Sequence, residues 1–436
     1  MVFLSGENSA DRRSITEPSS RPRNGAPQLE PLTGSAPPRR AREPEPLVEE
    51  CYRRSIGLLL ENSSPHGILA CRTSPKAERR NYRSVFGRDA SICALGMTRS
   101  GDERLIGTAR AGLETLARFQ AKNGQIPNYV RPADREANFW HFGCIDSTLW
   151  WLIALRDYDR FSGDRSLLPS LRGRVRKAVS WLLCQEQPSR SLLVQNEASD
   201  WADIMPRSGH VLYTNALWYR VKQSYRLSDA ERTRQQFNRT FFPFSPNGHG
   251  KRNGAGADRF YTIDKIRKVV RPTSYYLSFV NYLSWGGDVD LYANVLALLF
   301  GLPGIGLRRT ILAFLAEAHR NGSGTIPVTL NPIRKGTKHW REYMDRHRLN
   351  APHQYHNGGV WPYVGCFWAM VLAREGKTVP AFRELRNIAA LNRVNDWQFN
   401  EWFHGKTGSP MGMAGQSWNA AMFLLAYHTL RDGATI

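Results

Sequence analysis

The sequence has no long apolar run, and this absence excludes a helical membrane protein. None of its 436 residues belongs to an apolar stretch of the roughly 18 residues that a transmembrane helix needs. Residues 1–20 also lack the apolar core of a signal peptide. We therefore expect a protein that acts in the cytoplasm without a membrane partner.

Cysteine is scarce and is not arranged for metal binding. The six cysteines include no CxxC pair, and no histidine cluster accompanies them. This pattern excludes the common zinc motifs and disfavours a disulfide framework. We expect reduced, mostly buried thiols, and neither a metal nor another cofactor.

Acidic residues are too few to balance the basic ones. The chain has 60 Lys and Arg against 38 Asp and Glu, a net charge of +22, which raises the question of nucleic acid binding. The basic residues are scattered, however, and no RNP, KH or zinc-finger pattern occurs, so we expect no nucleic acid partner. Two basic stretches, 251–271 and 334–348, are interrupted by Gly or Pro and resemble loops. They form either a solvated surface or the rim of a pocket for an anionic ligand.

Strand patterns and strict repeats are nearly absent too. Only residues 192–195 and 326–330 resemble short strands, and no fixed period indicates an open solenoid. Residues 1–46 have neither periodicity nor any aromatic besides Phe3, which predicts a disordered tail. We expect residues 47–436 to form a single domain.

What the sequence does contain is a long series of helices. Leu105, Ala109, Leu113 and Leu116, for example, are spaced by three or four residues and form one apolar face. The predicted helical stretches are 48–60, 88–100, 103–119, 145–158, 165–186, 209–227, 288–300, 306–320, 357–375, 378–395 and 412–431. Alternating short and long connections between them indicate stacked helical hairpins in an all-α fold. In a closed ring of hairpins, the long connections would gather at one end.

Four segments are polar and aromatic where a helical core would be apolar: 82–89, 197–203 with its continuation to 219, 355–362 and 400–405. Sugars need such pairings, because their C–H faces stack on aromatic rings while their hydroxyls bond to carboxylates, amides and guanidinium groups. Hydrolysis of a glycosidic bond needs two carboxyl groups, one of them protonated. Each segment alone has a plainer explanation: Asp203 as a helix cap, Arg88–Asp89 as an ion pair at a helix start, Gly358–Gly359 as a turn.

These motifs resemble those of the six-hairpin, or (α/α)6, glycoside hydrolases. The similarity is to the glucosidase domain of glycogen debranching enzymes, the neutral and alkaline invertases and the mannosylglycerate hydrolase-like enzymes, over about residues 50–432. The matching motifs are FGRD at 86–89, IDSTLWW at 145–151, DWAD at 200–203, NALWY at 215–219, HNGGVWP at 356–362 and EWFHG at 401–405. The resemblance implies an (α/α)6 toroid.

The resemblance also implies roles for individual residues. Asp203 takes the place of the general acid, with Asp200 and then Asp146 as contenders, and Glu401 that of the base. The residues expected to bind substrate are Arg88, Asp89, Asp146, Asp200, Trp201, Asn215, Trp218, His356, Asn357, Gly358, Gly359, Trp361 and Trp402. An inverting mechanism follows from the resemblance, for which the carboxyl groups stand roughly 6.5–9.5 Å apart.

Three kinds of function remain open at this point. The first is an exo-acting glycosidase on a small saccharide or chain end, an α-glucoside before a sucrose-like β-fructofuranoside. The second is a glycosidase that recognises an acidic aglycone through Arg334, Lys335 and Arg341. The third is a helical toroid that has lost catalysis and binds an anionic polymer.

Overall fold

Helices make up most of the described chain. The computed structural model describes residues 45–80, 82–139, 144–244, 261–320, 324–433 and 436. The helices in these ranges are α1 (Pro46–Glu61), α2 (Pro75–Arg79), α3 (Gly87–Arg99), α4 (Glu103–Arg118), α5 (Ile145–Phe161), α6 (Leu167–Ser170), α7 (Arg172–Gln185), α8 (Leu212–Ser224), α9 (Ala230–Phe241), α10 (Tyr261–Val269), α11 (Leu291–Leu299), α12 (Ile305–Arg320), α13 (Pro362–Arg374), α14 (Thr378–Trp397) and α15 (Ser417–Asp432). The predicted tail lies outside the described residues apart from its last two positions, and so does the basic stretch 251–260.

Six of these helices form a closed inner ring. Helices α3, α5, α8, α11, α13 and α15 each pack against the next, and α15 packs back against α3. They are buried on nearly every side; in α11 all nine residues are buried. A helix with apolar residues round its whole circumference must be surrounded by protein, which explains why these sequences lie inside.

Six amphipathic helices form the outer layer. Helices α1, α4, α7, α9, α12 and α14 pack against α15, α3, α5, α8, α11 and α13 respectively. In α4 the predicted face of Leu105, Ala109, Leu113 and Leu116 is the buried one. Its start is fixed by Asp102, whose carboxylate accepts the Arg104 and Leu105 amide protons. The predicted (α/α)6 toroid is therefore the observed fold.

Inner helices α3 and α15 approach each other closely at Gly96. A Cβ atom on Gly96 would lie only 1.8 Å from the Ala421 carbonyl oxygen. The contact therefore requires glycine, although glycine is unfavourable inside a helix.

Short antiparallel strands lie in the connections between the helices. They are β1 (Ser63–Ser64), β2 (Gly67–Ile68), β3 (Val85–Phe86), β4 (Tyr129–Arg131), β5 (Glu136–Asn138), β6 (Glu186–Gln187), β7 (Leu192–Leu193), β8 (His210–Val211), β9 (Phe279–Val280), β10 (Val289–Asp290), β11 (Thr329–Leu330), β12 (Trp402–Phe403) and β13 (Pro410–Met411). They pair as β1–β2, β3–β4–β5, β6–β7, β8–β9, β10–β11 and β12–β13, with Trp402 opposite Met411 in the last pair.

The strands mark one end of the ring. Strands β3, β8 and β10 end directly before α3, α8 and α11. The starts of α13 and α15 are joined to neighbouring loops by bridges from Val360 to Phe403 and from Gln416 to Cys71. The amino ends of the inner helices thus share one rim of short strands and long loops, which we call the acid rim because of the carboxylates described below.

The helix predictions were accurate for the inner ring and incomplete outside it. Helix α9 was missed because only Phe237 and Phe241 give it an apolar stripe, and α2 and α10 were missed as well. Lys265–Lys268 lies on α10, so the prediction of a loop there was wrong. All six cysteines are unpaired, and five are buried. No helix in the described ranges is long and apolar enough to cross a membrane.

Candidate active site

The predicted polar segments meet at the acid rim. Arg88 and Asp89 lie in the first turn of α3, and Asp146 lies in the first turn of α5. Asp203 is on the loop that precedes β8, and Glu401 directly precedes β12. Helix amino ends favour negative charge, so this end of the ring suits a cluster of carboxylates.

Arg88 is the centre of the cluster. Its Nη1 donates to Asp146 Oδ2 at 3.2 Å, its Nη2 lies 3.6 Å from Asp203 Oδ1, and its Nε lies 3.7 Å from Asp89 Oδ2. Burial alone would lower the pKa of Arg88, but the three carboxylates raise it well above its usual value. One buried guanidinium therefore holds three acids that would otherwise repel one another.

Asp146 and Asp89 keep unused acceptor atoms. Asp146 Oδ2 also accepts the Tyr213 hydroxyl at 3.1 Å, which in turn accepts the Trp150 indole N–H at 2.7 Å. Asp146 Oδ1 and Asp89 Oδ2 are buried and accept no hydrogen bond from any described residue. Burial raises the pKa of both acids, that of Asp89 to about 6. Buried acceptors without donors are what a sugar ring with several hydroxyls would satisfy.

Asp203 and Asp200 differ in how much of the carboxyl group is free. Both Asp200 oxygens are taken, Oδ2 by the Gln195 amide at 2.8 Å and Oδ1 by the Ala202 N–H at 2.9 Å. Asp203 accepts no hydrogen bond from the described residues, and 38% of its side chain is accessible. Burial among protein atoms raises the pKa of Asp203 to about 7, against the opposing charge of Arg88. Of the two, only Asp203 is available to a ligand.

Glu401 is held by two hydrogen-bond donors. The Tyr82 hydroxyl donates to Oε1 and the Met413 N–H donates to Oε2, both at 2.9 Å. Burial raises the pKa of Glu401 to about 7, although both donors favour the ionised form. A Cβ on Gly412, whose φ is +79°, would lie 2.4 Å from Oε2, so this glycine leaves room for the carboxylate.

Asp203 and Glu401 therefore have opposite surroundings. Asp203 lies among other acids and accepts no hydrogen bond, which favours its protonated form. Glu401 accepts two hydrogen bonds, which favours its ionised form. A protonated acid and an ionised carboxylate in one site are the pair that glycosidic hydrolysis needs.

Aromatic side chains form the floor beneath the acids. Trp201 meets His356, Tyr292 and Trp361 edge-on, with ring centroids 4.7, 5.1 and 5.6 Å apart. Tyr363 stacks on Trp418 at 4.3 Å. Burial holds the pKa of His356 well below its usual range, so the ring is neutral. These rings form an apolar cluster, which includes Trp201 of the segment that carries Asp203.

The two glycines of the HNGG motif build the loop beside this floor. Gly358 has a φ of +105°, and a Cβ on Gly359 would lie 2.6 Å from the Tyr355 carbonyl oxygen. The Tyr355 ring packs on His356 at 3.9 Å and approaches Trp402 at 6.0 Å. The motif therefore shapes a tight turn that carries Tyr355 and His356.

Three predicted binding residues have side chains that bond to other parts of the protein, and none of them contacts the carboxylates described above. The Asn215 amide bonds to the backbone of Leu193 and Val211, and the Asn357 amide bonds to that of Ile333 and Asn350. The Trp218 indole donates to Glu186 at 2.5 Å. All three side chains are buried and hold loops and helices in place.

Tyr82, Tyr213, Gly412 and Met413 contact the acids but were not predicted as site residues. Tyr82 and Glu401 are 319 positions apart, so only the fold brings them together. The one available signal was that Tyr82 opens the first polar and aromatic segment.

The basic stretch 334–348 lies against the loop that carries Asp203. Arg341 pairs with Glu197 at 3.0 Å, and the Tyr343 hydroxyl donates to the same carboxylate at 2.6 Å. Lys335 lies 3.6 Å from Asp345. Arg334 is exposed and makes no ion pair with a described residue, so it alone of the three predicted cations is uncommitted. The described ranges contain no group of His, Cys, Asp and Glu arranged to hold a metal ion.

Known proteins match both the sequence and the fold. Residues 288–433 match the family model of alkaline and neutral invertases. The chain is 23% identical to the probable alkaline/neutral invertase D of Arabidopsis thaliana, over 90% of this chain and 84% of that protein. It is 37% identical over 73 residues to the glucosylglycerate hydrolase of Mycolicibacterium hassiacum, which is 17% of this chain and 16% of that one.

A solved structure matches the fold over most of both chains. The GH63 mannosylglycerate hydrolase of Thermus thermophilus, in complex with Tris and D-glycerate, superimposes with a TM-score of 0.60 at 16% identity. The match covers 86% of this chain and 99% of that chain. The chain therefore has the (α/α)6 fold of that hydrolase, and it is similar in sequence to the alkaline and neutral invertases.

Proposed function

We propose that the protein is an exo-acting, inverting glycosidase that removes one sugar from a small α-glucoside, with Asp203 as the acid and Glu401 as the base. The single observation that carries this proposal is the contrast between the hydrogen bonding of the Asp203 and Glu401 carboxyl groups. Asp203 has no donor, whereas Glu401 has two. Asp200, whose oxygens are both occupied, contributes a negative charge that raises the pKa of Asp203.

In this mechanism the two carboxyl groups move one proton each. Asp203 gives its proton to the glycosidic oxygen as the bond from that oxygen to the anomeric carbon breaks. Glu401 takes a proton from water as the water oxygen bonds to the same carbon from the opposite face. The products are the aglycone alcohol and a sugar of inverted anomeric configuration.

Asp89 and Asp146 would act on the sugar itself. Their unused oxygens accept its hydroxyl protons, and their negative charge lies close to the anomeric carbon as positive charge develops there. Trp201 and Trp361 supply the apolar surface below the ring.

Sucrose is a natural member of the substrate panel, because it is an α-glucoside on its glucose side. The similarity to invertases over 90% of the chain favours it. A glucoside with an acidic aglycone is the second candidate, favoured by Arg334, which makes no ion pair with a described residue, and by the local similarity to a glucosylglycerate hydrolase.

The relatives include a rice protein named as cytosolic and others named as chloroplastic or mitochondrial. A cytoplasmic location and independence from nucleic acid stay predictions.

The test is hydrolysis of sucrose, maltose, isomaltose, glucosylglycerate and mannosylglycerate, with proton NMR of the first anomer released. We expect β-glucose from an α-glucoside. Release of α-glucose would contradict inversion. Equal turnover of neutral and charged aglycones would exclude the second candidate, and an Arg334→Gln variant would then have unchanged KM values.

A further inference from the structure

The end of the ring opposite the acid rim carries a cluster of arginines. Arg99 and Arg374 are the last residues of α3 and α13, Arg160 is next to last in α5, and Arg220 lies in the last half of α8. The thirteen residues of α3 put this end about 20 Å from the acid rim. We call these four residues the arginine mouth.

One carboxylate, that of Asp157, interacts with the arginines of the arginine mouth. Asp157 Oδ1 accepts from Arg99 Nη2 at 2.7 Å, and Arg99 stacks on Phe161 with its guanidinium carbon 3.5 Å from the ring centroid. Burial raises the pKa of Asp157 to about 6, while Arg99, Arg220 and Arg160 oppose that rise. Glu375 is also nearby, but it is already paired with Arg308. Arg99, Arg160 and Arg220 thus share the single acid Asp157, and Arg374 shares Glu375 with Arg308.

Arg220 is the arginine of this cluster that most clearly lacks a hydrogen-bond or ion-pair partner among the described residues. It is half-buried, and its Nε is fully buried without a hydrogen-bond partner in the described chain. No described carboxylate forms a salt bridge with it. Burial lowers the pKa of Arg220, and the charges of Arg160 and Arg374 lower it further, against Asp157. A buried N–H without an acceptor is costly, and an anion bound to the partly accessible guanidinium would offset that cost.

Hydrogen bonds to carbonyl groups at the helix ends explain the position of only some of these arginines. Cations at helix carboxyl ends are favourable because of the helix dipole, and Arg374 does donate to the Leu299 carbonyl oxygen. Arg220 donates to no carbonyl group in the described structure. The guanidinium N–H donors of Arg220 are therefore available to a ligand, which would lie between the exposed Arg160 and Arg374.

We propose that the arginine mouth binds a multivalent oxyanion, phosphate or a phosphate ester, with Arg220 as the central ligand and Arg160 and Arg374 at its sides. Guanidinium groups bind phosphate oxygens through paired N–H donors, which suits a site made of arginine forks. The site is separate from the acid rim and does not depend on the proposed glycosidase activity.

The experiment measures melting temperature and calorimetric binding of inorganic phosphate and pyrophosphate, with sodium chloride at matched ionic strength as the reference. We expect both phosphates to raise the melting temperature of the unmodified chain above the chloride value, pyrophosphate at lower concentration. Arg220→Gln should weaken phosphate binding about tenfold or more. Arg118→Gln, which removes an exposed charge at the end of α4, should bind as before.

Two outcomes would overturn the proposal. One is equal stabilisation by phosphate and chloride. The other is an Arg220→Gln variant that melts lower than the unmodified chain in phosphate-free buffer while phosphate binding is unchanged, since Arg220 would then serve only the folded structure. Arg220→Lys, which keeps the charge but loses the fork, should bind phosphate with intermediate affinity.

Discussion

The two ends of the inner ring have opposite charge arrangements. At the acid rim, Asp89, Asp146 and Asp203 share the single cation Arg88. At the arginine mouth, Arg99, Arg160 and Arg220 act on the single acid Asp157. Helix dipoles explain why acids gather at one end and arginines at the other. The six parallel helices have their positive ends at the acid rim and their negative ends at the arginine mouth.

The difference between the ends lies in what each leaves unsatisfied. The acid rim leaves two carboxylate oxygens, of Asp89 and Asp146, without donors and Arg88 Nε without an acceptor, which suits a neutral ligand with many hydroxyl groups. The arginine mouth leaves Arg220 Nε without an acceptor and Asp157 Oδ2 without a donor, and the excess of guanidinium groups there suits an anion. The two ends of the fold therefore suit ligands of opposite character. Chemistry is expected only at the acid rim, where aromatic side chains and the carboxyl groups of Asp203 and Glu401 occur together.

The largest expected effect comes from removing the cation of the acid rim. Arg88→Met leaves Asp146 and its neighbours buried without a partner, which should cost about 3–5 kcal/mol of unfolding free energy at pH 7. The loss should shrink at pH 5, because acids with raised pKa values then become neutral. Chemical denaturation at both pH values measures this. Arg118→Gln should change stability by less than about 0.5 kcal/mol, and a similarly small loss for Arg88→Met would break the comparison.

A smaller effect is expected at the glycine beside Glu401. Gly412→Ala puts a Cβ 2.4 Å from Oε2 and should displace the carboxylate, with a loss of about 100-fold in kcat. Gly376→Ala is the matched control, because Gly376 has a similar φ of +68° but nothing within 4 Å of its ideal Cβ. Equal losses in the two variants would mean that backbone strain, and not contact with Glu401, causes the defect.

Gly96 tests the packing that both ends depend on. Gly96→Ala should lower the unfolding free energy by about 1–3 kcal/mol, because the new methyl group meets the Ala421 carbonyl oxygen. Gly57→Ala in the outer helix α1 meets nothing and should raise it by up to about 1 kcal/mol, the helix propensity difference. Thermal unfolding of both variants measures the contrast. A stabilised Gly96→Ala would show that α3 and α15 are not in close contact.

The smallest effect is a shift in pH dependence. Activity should fall as pH drops through the pKa of Glu401, which must be ionised, and as pH rises through that of Asp203, which must be protonated; both pKa values are about 7. Tyr82→Phe removes a hydrogen bond that favours ionised Glu401. The acidic limb of kcat/KM should therefore move to higher pH by about one unit, with the alkaline limb unchanged. Movement of the alkaline limb alone would mean that Tyr82 acts on the acid.

The sequence predicts the ring well because the inner helices are apolar on all sides and the outer ones on one face. It predicts the convergence of Arg88, Asp203, His356 and Glu401 only through motif resemblance, since no spacing relates residues so far apart. Asn215 bonds to backbone and Trp218 to Glu186, and a motif does not tell such a side chain from one that binds substrate. The Tyr82 contact and the arginine mouth depend on packing between distant helices, which single-chain periodicity does not contain.

The most direct test of the central claim compares substrates whose leaving groups do and do not need a proton. On an α-glucoside with an alcohol leaving group, Asp203→Asn and Glu401→Gln should each lose about 10²–10⁴-fold in kcat, and Asp200→Asn about tenfold or less. On α-glucosyl fluoride, Asp203→Asn should regain activity close to that of the unmodified enzyme, whereas Glu401→Gln should stay inactive. Equal loss by Asp203→Asn on both substrates, with rescue of Asp200→Asn instead, would contradict Asp203 as the acid.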